Sequence, residues 1–87
     1  PEDHAHARLL ADRVEGAGGA RTVPPDTNIV MIDLPAGRDA GAVVRAAAER
    51  GVFISGWSAT RVRAVTHRDV HRAQVERAAA VLASVLA

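Results

Sequence analysis

The run Arg61-Val62-Arg63-Ala64-Val65-Thr66-His67 alternates in character, and the chemistry it offers is the binding of an anion. Strand periodicity puts Val62, Ala64 and Thr66 on one face and Arg61, Arg63, Val65 and His67 on the other. The apolar set suits a layer of helices. Arg63 then projects from mid-strand onto the helix-free side of the sheet. An unpaired charge is costly to bury. A guanidinium in that position suits a carboxylate, whose two oxygens match its planar fork. The alternative is an arginine that is solvated or paired within the chain.

Other residue types offer less. His4 and His6 are two apart and point to different sides of a helix. His67 and His71 are four apart, but a strand end and a turn lie between them. No third ligand is placed by a motif, so no metal site is expected and the histidines read as solvated or capping residues. His71, with Gln74 three residues on, makes an imperfect capping box. Asp33 closes a strand and Asp39 suits the first position of a helix, which accounts for both without acid–base work. Ser55, Ser58 and Thr60 have no neighbouring general base. Gly16, Gly18 and Gly19 lack the spacing of a phosphate-binding loop. The chain has no cysteine, which excludes disulfides, thiolate metal sites and cysteine nucleophiles. It also has no lysine, which excludes lysine Schiff-base chemistry by this chain alone.

The elements that must position Arg63 follow from pattern. Eighty-seven residues, 48% hydrophobic and 24% charged, make one small globular domain. A first helix starts at Pro1, Glu2 and Asp3, carries the stripe Ala7, Leu10, Ala11, Val14, and ends at Gly16 to Gly19. Arg21 to Val23 is a short strand. Pro24, Pro25 and Asp26 make a turn. Thr27 to Leu34 is the strongest strand, and its Ile29-Val30-Met31-Ile32 run calls for burial on both faces. A second helix begins at Asp39, with the stripe Ala40, Val43, Val44, Ala47, and ends at Gly51. Val52 to Ser55 is a third strand, Gly56 to Thr60 a loop, and Arg61 to Thr66 a fourth strand. A last helix, from about Arg72 to Leu86, has the stripe Val75, Ala78, Ala79, Leu82, Val85, Leu86. The expected fold is α+β, in the order αββαββα: a small, mostly antiparallel sheet with helices on one face. The many alanines predict a thin core.

A net charge of +1 gives no electrostatic footprint for nucleic acid, and Phe53 and Trp57 alone make no stacking platform for bases. The longest strongly apolar run, Ile29 to Ile32, is too short to cross a membrane. No charged-then-apolar leader opens the chain, which begins at Pro1. The expectation is a cytoplasmic chain that forms part of something larger.

The stretch Arg63-Ala64-Val65-Thr66-His67-Arg68-Asp69-Val70, running into His71-Arg72-Ala73-Gln74, resembles the C-terminal segment of low-specificity L-threonine aldolases, where an R-x-V-T-H-x-D-V strand and turn precedes a final helix. Glu2-Asp3-His4-Ala5-His6-Ala7 is similar to the family's E-D-H-x-x-A helix start. Thr27-Asn28-Ile29-Val30, followed by Asp33-Leu34-Pro35, is similar to its T-N-I-V strand. The resemblance covers essentially the whole chain, with R-x-V-T-H the most specific block. The family belongs to the pyridoxal-phosphate enzymes of the aspartate aminotransferase fold type and cleaves β-hydroxy-α-amino acids, such as threonine, to glycine and an aldehyde.

What the resemblance implies is that residues 1–87 are the small C-terminal domain, with pyridoxal phosphate and its lysine held by a large domain outside this chain. The open face of the sheet would turn toward the active site. Arg63 would contact the α-carboxylate of the amino-acid substrate, and no residue here would be catalytic. The partners implied are the chain's own large domain and further copies in a homo-oligomer. Thr66 and His67 match the motif with no chemical role beyond structure, and Asn28 would satisfy nearby backbone groups. His71 departs from the small capping residue usual in the family. Two other readings fit the residues: the small domain of another enzyme of this fold type, an aminotransferase or amino-acid lyase, and a free-standing ferredoxin-like interaction module. In the isolated chain, half of the Ile29 to Ile32 run would be left for the large domain or a second copy to cover.

Overall fold

The stripe expected of the first helix does pack inward. In a computed structural model that describes residues 2–25, 27–66 and 71–87, α1 (Glu2–Val14) buries Ala7, Leu10, Ala11 and Val14. His6 lies beside this stripe and is also buried, with 8% of its surface exposed. This corrects the reading of His6 as solvated: it stands one turn before Leu10 and shares the flank of the buried face. The helix stops at Gly16, whose φ of 84° leaves the helical region, and one 3-10 turn, Ala17–Gly19, follows.

Glu15 ties this corner to β1 (Arg21–Thr22). Its carboxylate accepts from the Thr22 backbone N–H at 2.7 Å, from the Thr22 hydroxyl at 3.0 Å and from Arg21 Nη1 at 2.8 Å. The Thr22 backbone donor, and then Arg21, hold the Glu15 carboxyl below the usual carboxylate range.

The sheet has four strands in the order β1, β2 (Ile29–Asp33), β4 (Arg61–Val65), β3 (Ser55–Ser58), every neighbouring pair antiparallel. The two central strands pair Ile29 with Val65, Met31 with Arg63 and Asp33 with Arg61. Alternation therefore separates two rows. Val30, Ile32, Val62 and Ala64 are buried, whereas Ile29, Met31, Arg61, Arg63 and Val65 are half-buried. The burial expected on both faces of the Ile29 to Ile32 run is complete on one face only in this chain. The buried row meets α1 and α2 (Ala40–Glu49), and α3 (Arg72–Leu86) packs in turn on α1 and α2. The fold is α+β, αββαββα, as expected.

Asp39 caps α2 as predicted, its carboxylate accepting from the Ala42 N–H at 3.0 Å. Gly51, with φ 84°, follows the end of the helix, and the Val52 N–H returns to the Ala47 carbonyl at 2.9 Å. That bond places Val52 in the helix exit rather than in a strand. The third strand accordingly lies at Ser55–Ser58 and not at Val52 to Ser55, with only Ala59 and Thr60 turning into β4. All four of its residues are exposed, so it has no apolar alternation to be read from sequence; the short hairpin sets its position. β2 is likewise shorter than Thr27 to Leu34.

α3 buries Val75, Ala79, Leu82 and Leu86 from the expected stripe. Val81 is buried as well, while Ala78 and Val85 are only half-buried. At its start the His71 N–H donates to Gln74 Oε1 at 2.8 Å, the reciprocal bond of a capping box. At its far end, Arg38 supplies a cap from outside the helix. Its Nη1 donates to the Leu86 carbonyl at 3.2 Å and its Nη2 to the Val85 carbonyl at 2.7 Å. A cation on orphan carbonyls at a helix C-terminus is favoured by hydrogen bonding and by the helix dipole. Arg38→Ala is therefore expected to destabilise the domain by about 1–2 kcal/mol. Chemical denaturation of the two chains measures this, and an unchanged midpoint would show that the cap contributes nothing.

The core is thin, as its composition implies. Its largest fully buried side chains are Ile32, Leu82, Leu86 and four valines. No aromatic residue takes part: Phe53 is 81% exposed and Trp57 58%. Among the described residues, no helix is long and apolar enough to cross a membrane.

Candidate functional site

Arg63 occupies the middle of β4, between Met31 on β2 and Ser55 on β3, on the face away from the helices. This is the placement strand parity predicts. The second arginine of the row has a different environment. Arg61 lies opposite Asp33 and holds its carboxylate side-on, Nε to Oδ1 and Nη2 to Oδ2, the latter at 3.1 Å. Asp33 stabilises the charged guanidinium, mainly by hydrogen bonding and then by simple charge, and raises the Arg61 pKa further. Asp33 is the last residue of β2, as the sequence suggested, and is also the ion-pair partner of Arg61. Asp39 is engaged separately, at the N-terminus of α2.

Arg63 has no such partner among the described residues. Its Nε is buried and makes no hydrogen bond. Its guanidinium carbon lies over the Trp57 ring, 5.7 Å from the centroid, within cation–π range. With Nε enclosed, Nη1 and Nη2 are the donors left for an anion. Around Arg63 the face is largely apolar: Met31, Ile29 and Val65 are half-buried neighbours in the ladder. A single cation with an unsatisfied donor, set in an apolar surface beside an arginine already neutralised, suits one carboxylate with an organic body.

Sequence reasoning missed Trp57. Its position on the sheet comes from a β-bulge: Gly56 pairs with Val62 and Ser58 with Arg61, which leaves Trp57 as the extra residue. The signal that could have found it is Gly56, since an isolated glycine in a strand often marks a bulge.

The motif blocks meet in space. The Asn28 carbonyl accepts from the Thr66 N–H at 2.9 Å and from the Thr66 hydroxyl at 3.2 Å, and Asn28 Nδ2 donates to the Thr66 carbonyl at 3.1 Å. Asn28 and Thr66 therefore clamp the end of the β2–β4 ladder, which agrees with the structural roles expected of them. His67 lies outside the described residues, as do Arg68 to Val70. His4 is half-buried and His71 exposed, and no group of three metal-ligating side chains comes together among the described residues. Ser55, Ser58 and Thr60 are all exposed, and the Ser58 hydroxyl accepts from the Thr60 N–H at 3.3 Å within the hairpin turn.

No family model matches the chain, and no curated protein matches it. Among solved structures, it is similar to an aspartate aminotransferase of subgroup IV from Thermus thermophilus, with a TM-score of 0.76 and 26% identity over 95% of this chain. The chain spans about a quarter of that protein's length, 26%. The likeness supports the aminotransferase-fold superfamily of pyridoxal-phosphate enzymes and gives no support to threonine aldolase in particular.

Proposed function

We propose that the chain is the small domain of a pyridoxal-phosphate enzyme of the aminotransferase fold type, and that Arg63 binds the α-carboxylate of an amino-acid substrate. The observation that carries this reading is Arg63 itself: a half-buried mid-sheet guanidinium whose Nε is buried and unpaired. The helix-free face, with Met31, Ile29 and Trp57 around Arg63, would then meet the large domain, and the assembled enzyme would be a homo-oligomer. The residues of this chain do not themselves suit the cofactor, since none is a lysine. Pyridoxal phosphate would be held by the large domain and would supply the electron sink for bond breaking at the substrate's α-carbon. The role of this chain would be to orient that carbon, by fixing the carboxylate in the Arg63 fork against an apolar surface.

Within this class we propose threonine-aldolase chemistry, cleavage of a β-hydroxy-α-amino acid to glycine and an aldehyde. Its support is the R-x-V-T-H block that begins at Arg63 and the T-N-I-V block, which the Asn28–Thr66 clamp joins. A second reading, amino-group transfer to a 2-oxo acid, is favoured by the aspartate aminotransferase likeness. One product assay separates them. The full-length protein, loaded with pyridoxal phosphate and given L-threonine alone, is expected to release glycine and acetaldehyde. Turnover that appears only on addition of a 2-oxo acid, with a new amino acid formed from it, would replace the aldolase reading with the aminotransferase one. No turnover of any amino acid would overturn both.

A further inference from the structure

We propose that Trp57 is a positioning residue for Arg63: its indole holds the guanidinium plane so that the terminal edge presents itself to a carboxylate. The inference rests on the carboxylate reading of Arg63. It is carried by three observations: the ring lies 5.7 Å from Arg63 Cζ, Arg63 Nε is enclosed without a partner, and Trp57 is the inserted residue of the bulge. If the Ser55–Arg63 and Gly56–Val62 register simply continued, Trp57 would stand opposite Arg61, whose charge Asp33 already meets. The extra residue hands that position to Ser58 and leaves the ring to Arg63. Packing within the domain does not explain the residue, because Trp57 is 58% exposed and sits on an edge strand. An arginine on an open sheet has many rotamers, and an anion that binds it must freeze them. Stacking on a rigid ring restricts them beforehand.

A positioning contact of this kind acts on the bound substrate and on the transition state alike, and so appears in KM rather than kcat. In the full-length enzyme, Trp57→Ala is expected to raise KM for the amino-acid substrate roughly two- to fivefold, the factor that corresponds to an exposed cation–π contact, and to leave kcat within about twofold. Trp57→Phe, which keeps a ring, should recover most of the loss. The second measurement needs no turnover. Trp57 is the only tryptophan of the 87-residue chain, so its emission reports on the stack. Arg63→Met, which removes the charge and keeps an extended side chain, should change the intensity and position of that emission while the circular dichroism stays unchanged. Unchanged emission would show that the stack is not formed in solution and would overturn the inference. So would an unchanged KM in Trp57→Ala, if Arg63→Ala remains impaired; the carboxylate reading would then survive alone. If neither variant moves KM, the carboxylate reading fails and the inference with it.

Discussion

On the carboxylate role proposed for it, replacing Arg63 with alanine in the full-length protein is expected to lower kcat/KM for the amino-acid substrate about 10- to 150-fold. A largely desolvated, charge-assisted pair with a carboxylate is worth about 1.5–3 kcal/mol, and that energy converts directly into the rate ratio. The removal leaves no counter-charge stranded within this domain, because Arg63 makes no ion pair among its described residues; the loss falls on the substrate. Arg63→Lys should recover only part, since an ammonium cannot present two parallel donors in a plane. Arg61→Ala is the control on the same face. Arg61 is already held side-on by Asp33, so its removal should cost less than threefold in kcat/KM. A kcat/KM within about twofold of the wild type in Arg63→Ala would sink the carboxylate assignment and leave Arg63 as a solvated strand residue.

The largest expected effect on stability comes from a residue with no side chain. Gly18 sits in the 3-10 turn with φ 58°, and a Cβ built there would overlap the Leu86 carbonyl oxygen and lie 2.6 Å from the Leu86 carbonyl carbon. That carbonyl belongs to the last turn of α3 and accepts from Arg38. Neither neighbour is a flexible side chain that could swing away. Gly18→Ala must therefore push the end of α3 outward, disturb the Arg38 cap and hold an alanine in the left-handed region. The left-handed conformation alone costs about 1–2 kcal/mol, and the displaced backbone adds to it. A total of about 2–4 kcal/mol is expected, a large share of the stability of so small a domain. Thermal melting should show Tm lowered by at least about 10 °C. Gly16→Ala separates the two causes: φ is 84° there, and nothing lies within 4 Å of the added Cβ. It should show the conformational cost alone. Equal losses in the two variants would mean that α3 yields freely and that the close approach at Gly18 is unimportant.

By itself the sequence determined what depends on local pattern. The stripes of α1, α2 and α3 are legible because burial of one helix face imposes a period of about 3.6 residues. The two-row character of β4 is legible because successive strand residues face opposite ways, and this alone assigned Arg63 to the helix-free side. The R-x-V-T-H block pointed to the same residue by resemblance. Tertiary structure decided what depends on residues distant in the chain. β3 moved because the exit of α2 takes Val52 and the hairpin to β4 sets the register, while its exposed residues carry no periodic signal. Arg61 and Arg63 have the same side chain on the same face of one strand. Only the pairing of β2 with β4 gives Asp33 to the first and withholds it from the second. The bulge that brings Trp57 over Arg63, and the approach of Gly18 to Leu86, arise the same way: each depends on where a second element's backbone runs, which spacing along the chain does not encode.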